Sequence, residues 1–305
     1  MQNALRSYNL GVDCMRRSST EENLMKAIEH FEFAARNGVT KAAFNLGVLY
    51  SKESSSVRDC ELALSWFELA AKDGDADAQY SIALMLEHGN GVEKNEVEAV
   101  KWYTAAAEAG DPGAQNNLGI MMADGRGSVK NETQAVRWFR ASAEQNDPKG
   151  QFNLGQFYRD GRGVEKSYSK AAHWYSKAAE KGHILARNSL ANLLAMGIEV
   201  EENSNLAFEL FRVSAEQGNA SAQYNLGLMC FENGDFEEAV RWWRDASEQG
   251  HIGAEYNLGL CYENGIGTSQ DRGEALRLLR RSKVKGMVEA EEAINRIVQG
   301  RSEFL

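Results

Sequence analysis

Ala114, Leu118 and Met122 stand four residues apart. Ala135, Trp138, Phe139 and Ser142 follow at helical spacing. Each set falls on one face of a 3.6-residue helix. The first predicts a helix A, running from the small residue four before the Leu to about four after it. The second predicts a helix B. Gly125-Arg126-Gly127 lies between them, Asn146 closes the stretch, and Asp147-Pro148 follows. A Gly or Asn in the left-handed conformation ends a helix, and Asp-Pro suits the N-cap and first turn of the next. The stretch is therefore a helix pair with its own stop and start signals.

The same pattern recurs along the chain. Leu10, Leu46, Ile82, Leu118, Leu154, Leu190 and Leu226 are spaced by 36 residues; Leu258 follows after 32 and Ile294 after 36. A Gly or Ala comes next in each of the first eight copies, from Gly11 to Gly259. Trp66, Trp102, Trp138, Trp174 and Trp242 share one slot of helix B and are expected to fill the core between helices. Trp243 is an extra tryptophan expected to be partly exposed. Each copy ends in Gly38, Gly74, Gly110, Asn146, Gly182, Gly218, Gly250 or Gly286. A period of this length means stacked supersecondary units.

The repeat explains the Gly-x-Gly pairs. Gly89/Gly91, Gly125/Gly127, Gly161/Gly163 and Gly265/Gly267 sit where a tight A–B connection needs positive φ. A phosphate loop would need a preceding strand and, in its Walker form, Gly-Lys-Ser/Thr. Neither is present.

The stretch 150–182, "GQFNLGQFYRDGRGVEKSYSKAAHWYSKAAEKG", resembles the Sel-1-like repeat, a relative of the tetratricopeptide repeat. The resemblance covers roughly positions 4 to 299. It implies an all-α, right-handed superhelical α-solenoid and a scaffold or adaptor role. Some secreted bacterial members carry a disulfide-linked cysteine pair in each repeat, a pattern this chain lacks. The expected organisation is one solenoid domain with repeats at about 4–39, 40–75, 76–111, 112–147, 148–183, 184–219, 220–251 and 252–287. Residues 288–305 form a capping helix and tail. In the slot four before the Leu, Arg6 replaces the usual Ala, as fits a first repeat with no helix before it.

The net charge of −10, with no basic block, argues against nucleic acid. No apolar run reaches the ~18 residues of a membrane span. The first twenty residues lack the apolar region of a secretory signal, so a cytoplasmic protein is expected. Cys14, Cys60, Cys230 and Cys261 form no Cys-x-x-Cys pair, and the five histidines do not cluster. Reduced thiols, no metal and no cofactor are the expectation. There is no Ser/His/Asp or Cys/His arrangement with a defined context, so the chain is read as non-enzymatic.

One feature goes beyond fold. Directly before the repeat Leu stand Asn9, Asn45, Ser81, Asn117, Asn153, Ser189, Asn225 and Asn257. One turn later come Val12, Val48, Leu84, Ile120, Gln156, Asn192, Leu228 and Leu260. In tetratricopeptide-like solenoids helix A lines the concave surface, and by that analogy both rows run along a groove. The polar row could bond the backbone of a partner peptide. It could equally bond a neighbouring repeat and set the stacking. The expected function is a scaffold that binds a protein or peptide partner, with self-association through the solenoid ends in the same class. A small-molecule-binding or hydrolytic protein is the alternative.

Overall fold

The computed structural model describes residues 1–17, 20–52 and 56–300; the last five residues of the expected tail, 301–305, lie outside them. Among the described residues there are 17 α-helices and no strand. The A helices are α1 (Gln2–Arg17), α3 (Thr40–Ser51), α5 (Ala76–His88), α7 (Pro112–Asp124), α9 (Pro148–Asp160), α11 (Ile184–Met196), α13 (Ala220–Glu232) and α15 (Ile252–Asn264). The B helices are α2 (Glu21–Arg36), α4 (Cys60–Lys72), α6 (Glu96–Glu108), α8 (Glu132–Glu144), α10 (Tyr168–Glu180), α12 (Ser204–Glu216), α14 (Phe236–Glu248) and α16 (Arg272–Val284). A last helix, α17 (Ala290–Val298), packs Ala290 and Ala293 against Leu279 of α16, with Tyr256 and Leu260 of α15 alongside. The chain is thus an α-solenoid of helix pairs. Its contacts divide it into two units, Met1–Ser167 and Tyr168–Leu305, the division falling between the two helices of the fifth repeat.

The A helices are longer than the apolar pattern predicts. Helix α7 extends six residues either side of Leu118, because caps rather than apolar residues set its ends. Asp111 accepts a bond from Ala114 N, Pro112 takes the first turn, and left-handed Gly125 (φ 74°) closes it. Asp75, Asp147 and Asn219 cap α5, α9 and α13 in the same way. The residues that end the repeats adopt positive φ, including the one asparagine, Asn146 (φ 66°).

Two histidines occupy this cap slot, a role their lack of clustering concealed. His183 Nδ1 accepts from Ala186 N at 3.2 Å, and His251 Nδ1 from Ala254 N at 3.3 Å. An imidazole nitrogen can accept only when it carries no proton.

The buried face of α7 is Ala114, Leu118 and Met121, not Met122, which is half-buried. On the B helices the correction is larger. Trp66, Trp102, Trp138 and Trp174 are half-buried, and Trp242 is 9% exposed. The fully enclosed ring is the next residue: Phe31, Phe67, Tyr103, Phe139, Tyr175, Phe211 and Trp243. Trp243, expected to be partly exposed, is therefore the core residue of its repeat. It fits because the helix-A Gly after the Leu has no side chain. A Cβ on Gly119 would lie 2.7 Å from the Phe139 ring, and one on Gly227 would lie 2.5 Å from that of Trp243. Close approach of the two helices, more than backbone freedom, is what these glycines provide. In the first repeat Leu10 is 43% exposed and Arg6 is exposed, and no described helix covers that face of α1.

Two outcomes follow from this packing. Trp243→Ala should cost about 3–5 kcal/mol of stability, the range for truncating a buried aromatic. The half-buried Trp174→Ala should cost clearly less, and urea unfolding would rank the pair. His251 supplies a pH dependence. Burial holds its pKa below the usual imidazole value, although the carboxylate of Glu255 pulls the other way; Tyr224 stacks on its ring at 4.5 Å. The folded chain thus binds this proton less well than the unfolded chain. The cap's contribution is complete above about pH 6.5 and is lost as pH falls from there through the depressed folded value. His251→Asn, using the residue that caps α13, should lose less melting temperature between neutral and acid pH than the parent. Equal losses would exclude His251 as an acid-sensitive cap.

Candidate functional site

The two rows seen in the sequence lie on the open side of the A helices. Asn45, Ser81, Asn117, Asn153, Ser189, Asn225 and Asn257 are all half-buried, and so are Leu84, Ile120, Leu228 and Leu260. Val48 is 41% exposed. This partial exposure follows from position: the Leu between the rows faces inward, and its flanks on the helix surface meet the boundary with solvent.

In the first unit, part of the polar row is engaged between repeats. Asn153 Nδ2 donates to Asn116 Oδ1 at 2.7 Å, and Asn116 Nδ2 donates to Asn117 Oδ1 at 3.2 Å. Asn117 Nδ2 donates to the Tyr103 hydroxyl at 3.2 Å and lies 3.5 Å from that of Tyr80. Tyr103 in turn donates to Glu87 at 2.6 Å, and Arg126 of the next repeat holds the other oxygen of Glu87 at 2.9 Å. Burial pushes the Tyr103 phenol above its ordinary value, so it stays a donor to the carboxylate. In the second unit, Asn225 Nδ2 donates to Asn192 Oδ1 at 3.0 Å. Ser81 bonds back to the Asp77 carbonyl. Ser189 makes no side-chain hydrogen bond among the described residues, and neither do Asn45 and Asn257.

Asn45 and Asn257 sit at cavities. One of about 280 Å³ is lined by Val12, Asn45, Val48 and Leu49, with Phe31 on its wall. The next, about 250 Å³, is lined by Val48, Ser81, Leu84 and Met85, with Phe67. In the second unit, one of about 250 Å³ is lined by Leu228, Asn257, Leu260 and Cys261, with Trp243. Each uses the apolar row residue of one repeat with the polar and apolar row residues of the next, beside the buried aromatic of the earlier helix B. Ile120, Asn153, Ser189 and Asn225 do not line these cavities.

A second polar row went unread in the sequence. Gln79, Gln115, Gln151 and Gln223 follow the small residue of helix A. Each donates to a carbonyl near the end of the preceding helix B, as Gln115 does to Ala107 O at 3.0 Å. Gln145 and Gln249 complete two of them by donating to Gln115 and Gln223. In the eighth repeat the pair becomes ionic. Glu255, fully buried, accepts from Lys285 at 2.7 Å and from Arg281 at 2.5 Å. A glutamine recurring at one slot of the self-alignment was the available signal.

Little here resembles a reaction centre. Among the described residues no three His, Cys, Asp or Glu side chains are grouped to hold a metal. Burial pushes the Cys230 thiol up to about 11 and the Cys261 thiol up to about 12, so both stay protonated at neutral pH. A further cavity, of about 790 Å³, lies at the start of α14 between Asp235, Glu237, Glu238 and Arg241, and contains neither row. No described helix is long and apolar enough to cross a membrane.

Stacked helix pairs, a shared aromatic–glycine contact and a polar row on one helix face define an α-solenoid repeat protein. The chain belongs to the Sel1 repeat family: the Sel1 repeat matches residues 7–39, 40–75, 76–111, 112–147, 148–183, 184–219, 220–251 and 252–283. Among solved structures it is similar to c5321 of uropathogenic Escherichia coli, described as a protective antigen displaying an SLR fold. That likeness has a TM-score of 0.89 and 32% identity and covers 98% of this chain. This chain spans 66% of the length of that protein. It is also similar to a Sel1 repeat protein from Oxalobacter formigenes, with a TM-score of 0.72 and 28% identity over 96% of this chain and 86% of the other. No curated protein matches it. Sel1 repeat proteins are generally protein-interaction scaffolds.

The bonded members of the polar row set a stability outcome. Asn117→Ala with Asn153→Ala leaves Tyr103, Tyr80 and Asn116 with unmet bonds, each costing about 1–3 kcal/mol where buried. The double variant should unfold at clearly lower temperature. An unchanged melting curve would mean that these amides do not hold the repeats together.

Proposed function

We propose that the chain is a non-enzymatic adaptor that holds an extended segment of a partner protein along the open face of its A helices. The observation that carries this reading is the recurrence of one cavity type at three places, each built from both rows. Its apolar walls suit a partner side chain. Its rim offers a polar group, and a free Asn amide presents two donors and an acceptor to a peptide backbone. The polar row then has two jobs divided among its members. Asn117, Asn153 and Asn225 tie repeats together, while Asn45 and Asn257 are left for the partner.

The test separates these jobs. The partner is captured from the native source by affinity purification and identified by mass spectrometry, and its binding to variants is then measured. Asn45→Ala with Asn257→Ala should keep the parental melting temperature and weaken binding about tenfold, the equivalent of one or two hydrogen bonds. Arg137→Ala, on the exposed outer side of α8, should bind normally. Full affinity in the asparagine variant together with loss in the Arg137 variant would place the binding surface on the B helices instead.

A further inference from the structure

The first unit contains two of these cavities side by side, and they differ from the cavity of the second unit in one respect. Each has an arginine on its wall: Arg16, in the last turn of α1, for the first, and Arg58, just before α4, for the second. Both arginines are exposed, and neither forms an ion pair among the described residues. The cavity at Asn257 has no basic side chain on its lining. The two units do not differ in net charge: 19 Lys or Arg against 24 Asp or Glu in the first, and 15 against 20 in the second, give −5 each, so the distinction lies in these two side chains.

We propose that the first unit selects an acidic, apolar peptide segment, with two apolar side chains about three residues apart, each accompanied by a carboxylate. The inference rests on the peptide-binding reading above and adds the chemistry of the peptide. The spacing comes from the architecture. Val48 belongs to both cavities, which lie on either side of α3. Helix α3 lies against α5. Packed helix axes are about 8–10 Å apart and an extended chain advances about 3.3 Å per residue, so neighbouring cavities receive side chains about three residues apart. The apolar side chain enters between Val48 and the buried Phe31 or Phe67. A guanidinium at the wall offers a forked pair of donors to a carboxylate, an interaction that neither a neutral nor a basic peptide can match. Asn45 and Ser81 face the backbone between the anchors.

The experiment is selection from a random-peptide phage library on the purified full chain. Enriched peptides should carry two apolar residues about three positions apart with Asp or Glu beside them. A blocked synthetic peptide of the enriched sequence should lose about tenfold affinity or more when its carboxylates are replaced by amides, and the same when Arg16→Glu and Arg58→Glu are introduced together. The charge-reversed protein should in turn prefer the peptide with Lys in place of Glu. Arg16→Gln with Arg58→Gln gives the same reading, without preference for the Lys peptide, should the reversal disturb folding. Cys60 lines the second cavity and Cys14 lines neither, so bound peptide should slow alkylation of Cys60 by iodoacetamide and leave Cys14 unchanged. Enrichment of neutral or basic apolar peptides overturns the proposal. Peptides whose binding is lost in Asn257→Ala but kept in the arginine variants overturn it too, while leaving peptide binding by the A-helix face intact. A library with no enriched peptide overturns both.

Discussion

Each repeat depends on an apolar ring, or a leucine in the last repeat, seated where a helix-A residue has almost no side chain. Phe31 against Gly11, Phe67 against Gly47, Phe139 against Gly119, Trp243 against Gly227 and Leu279 against Gly259 are the same contact made five times. A Cβ at any of these glycines would come within 2.9 Å of its partner. The contact sets how closely A and B pack, and the remaining interactions are arranged around that distance. Where Ala83 or Ala191 replaces the glycine, the slot is still small, and Tyr103 and Phe211 remain buried.

Once the helices are that close, the connections have little freedom. Gly127 shows why the turn uses glycine: its φ is 66°, and a Cβ there would meet the backbone oxygen of Glu96, the first residue of the preceding helix B, at 2.1 Å. The turn of one repeat is thus packed onto its predecessor. The glutamine row does the same from helix A, drawing buried helix-end carbonyls into inter-repeat bonds. Where the row changes chemistry, Glu255 accepts from Arg281 and Lys285, and Arg281 takes over the donation to the helix-end carbonyl of Ser247. Such nearest-neighbour contacts are the reason a solenoid behaves as a row of coupled units.

The functional reading grows from the same geometry. A face needed for stacking leaves partly exposed positions on either side of the buried Leu. Those positions are free to vary in chemistry without disturbing the ring–glycine contact. Asn117 and Asn153 are spent on holding repeats together. Asn45 and Asn257 are not, and they stand beside walls formed by the buried rings. Arg16 and Arg58 then make the cavities of the first unit chemically distinct from that of the second. Packing and recognition therefore share a scaffold but use different side chains.

The helices, their order, the repeat and its stop and start residues were legible in the sequence. They depend on local chemistry: apolar spacing, left-handed Gly and Asn, and Asp before the first turn. The placement of the polar row beside an apolar row was also legible, because both follow from helical periodicity within one helix. What the tertiary structure decided was how members of a row differ. Self-alignment puts Asn45, Asn117 and Asn153 in one class, yet Asn117 meets Tyr103 and Asn153 meets Asn116, while Asn45 meets neither kind of partner. The tryptophan column suggested the core, but a one-residue rotation around the helix, about 100°, puts the next side chain inside instead. His251 gave no cluster to notice, because its partner is a backbone N–H three residues away. Periodicity specifies which face a residue occupies; only packing across helices specifies what it touches there.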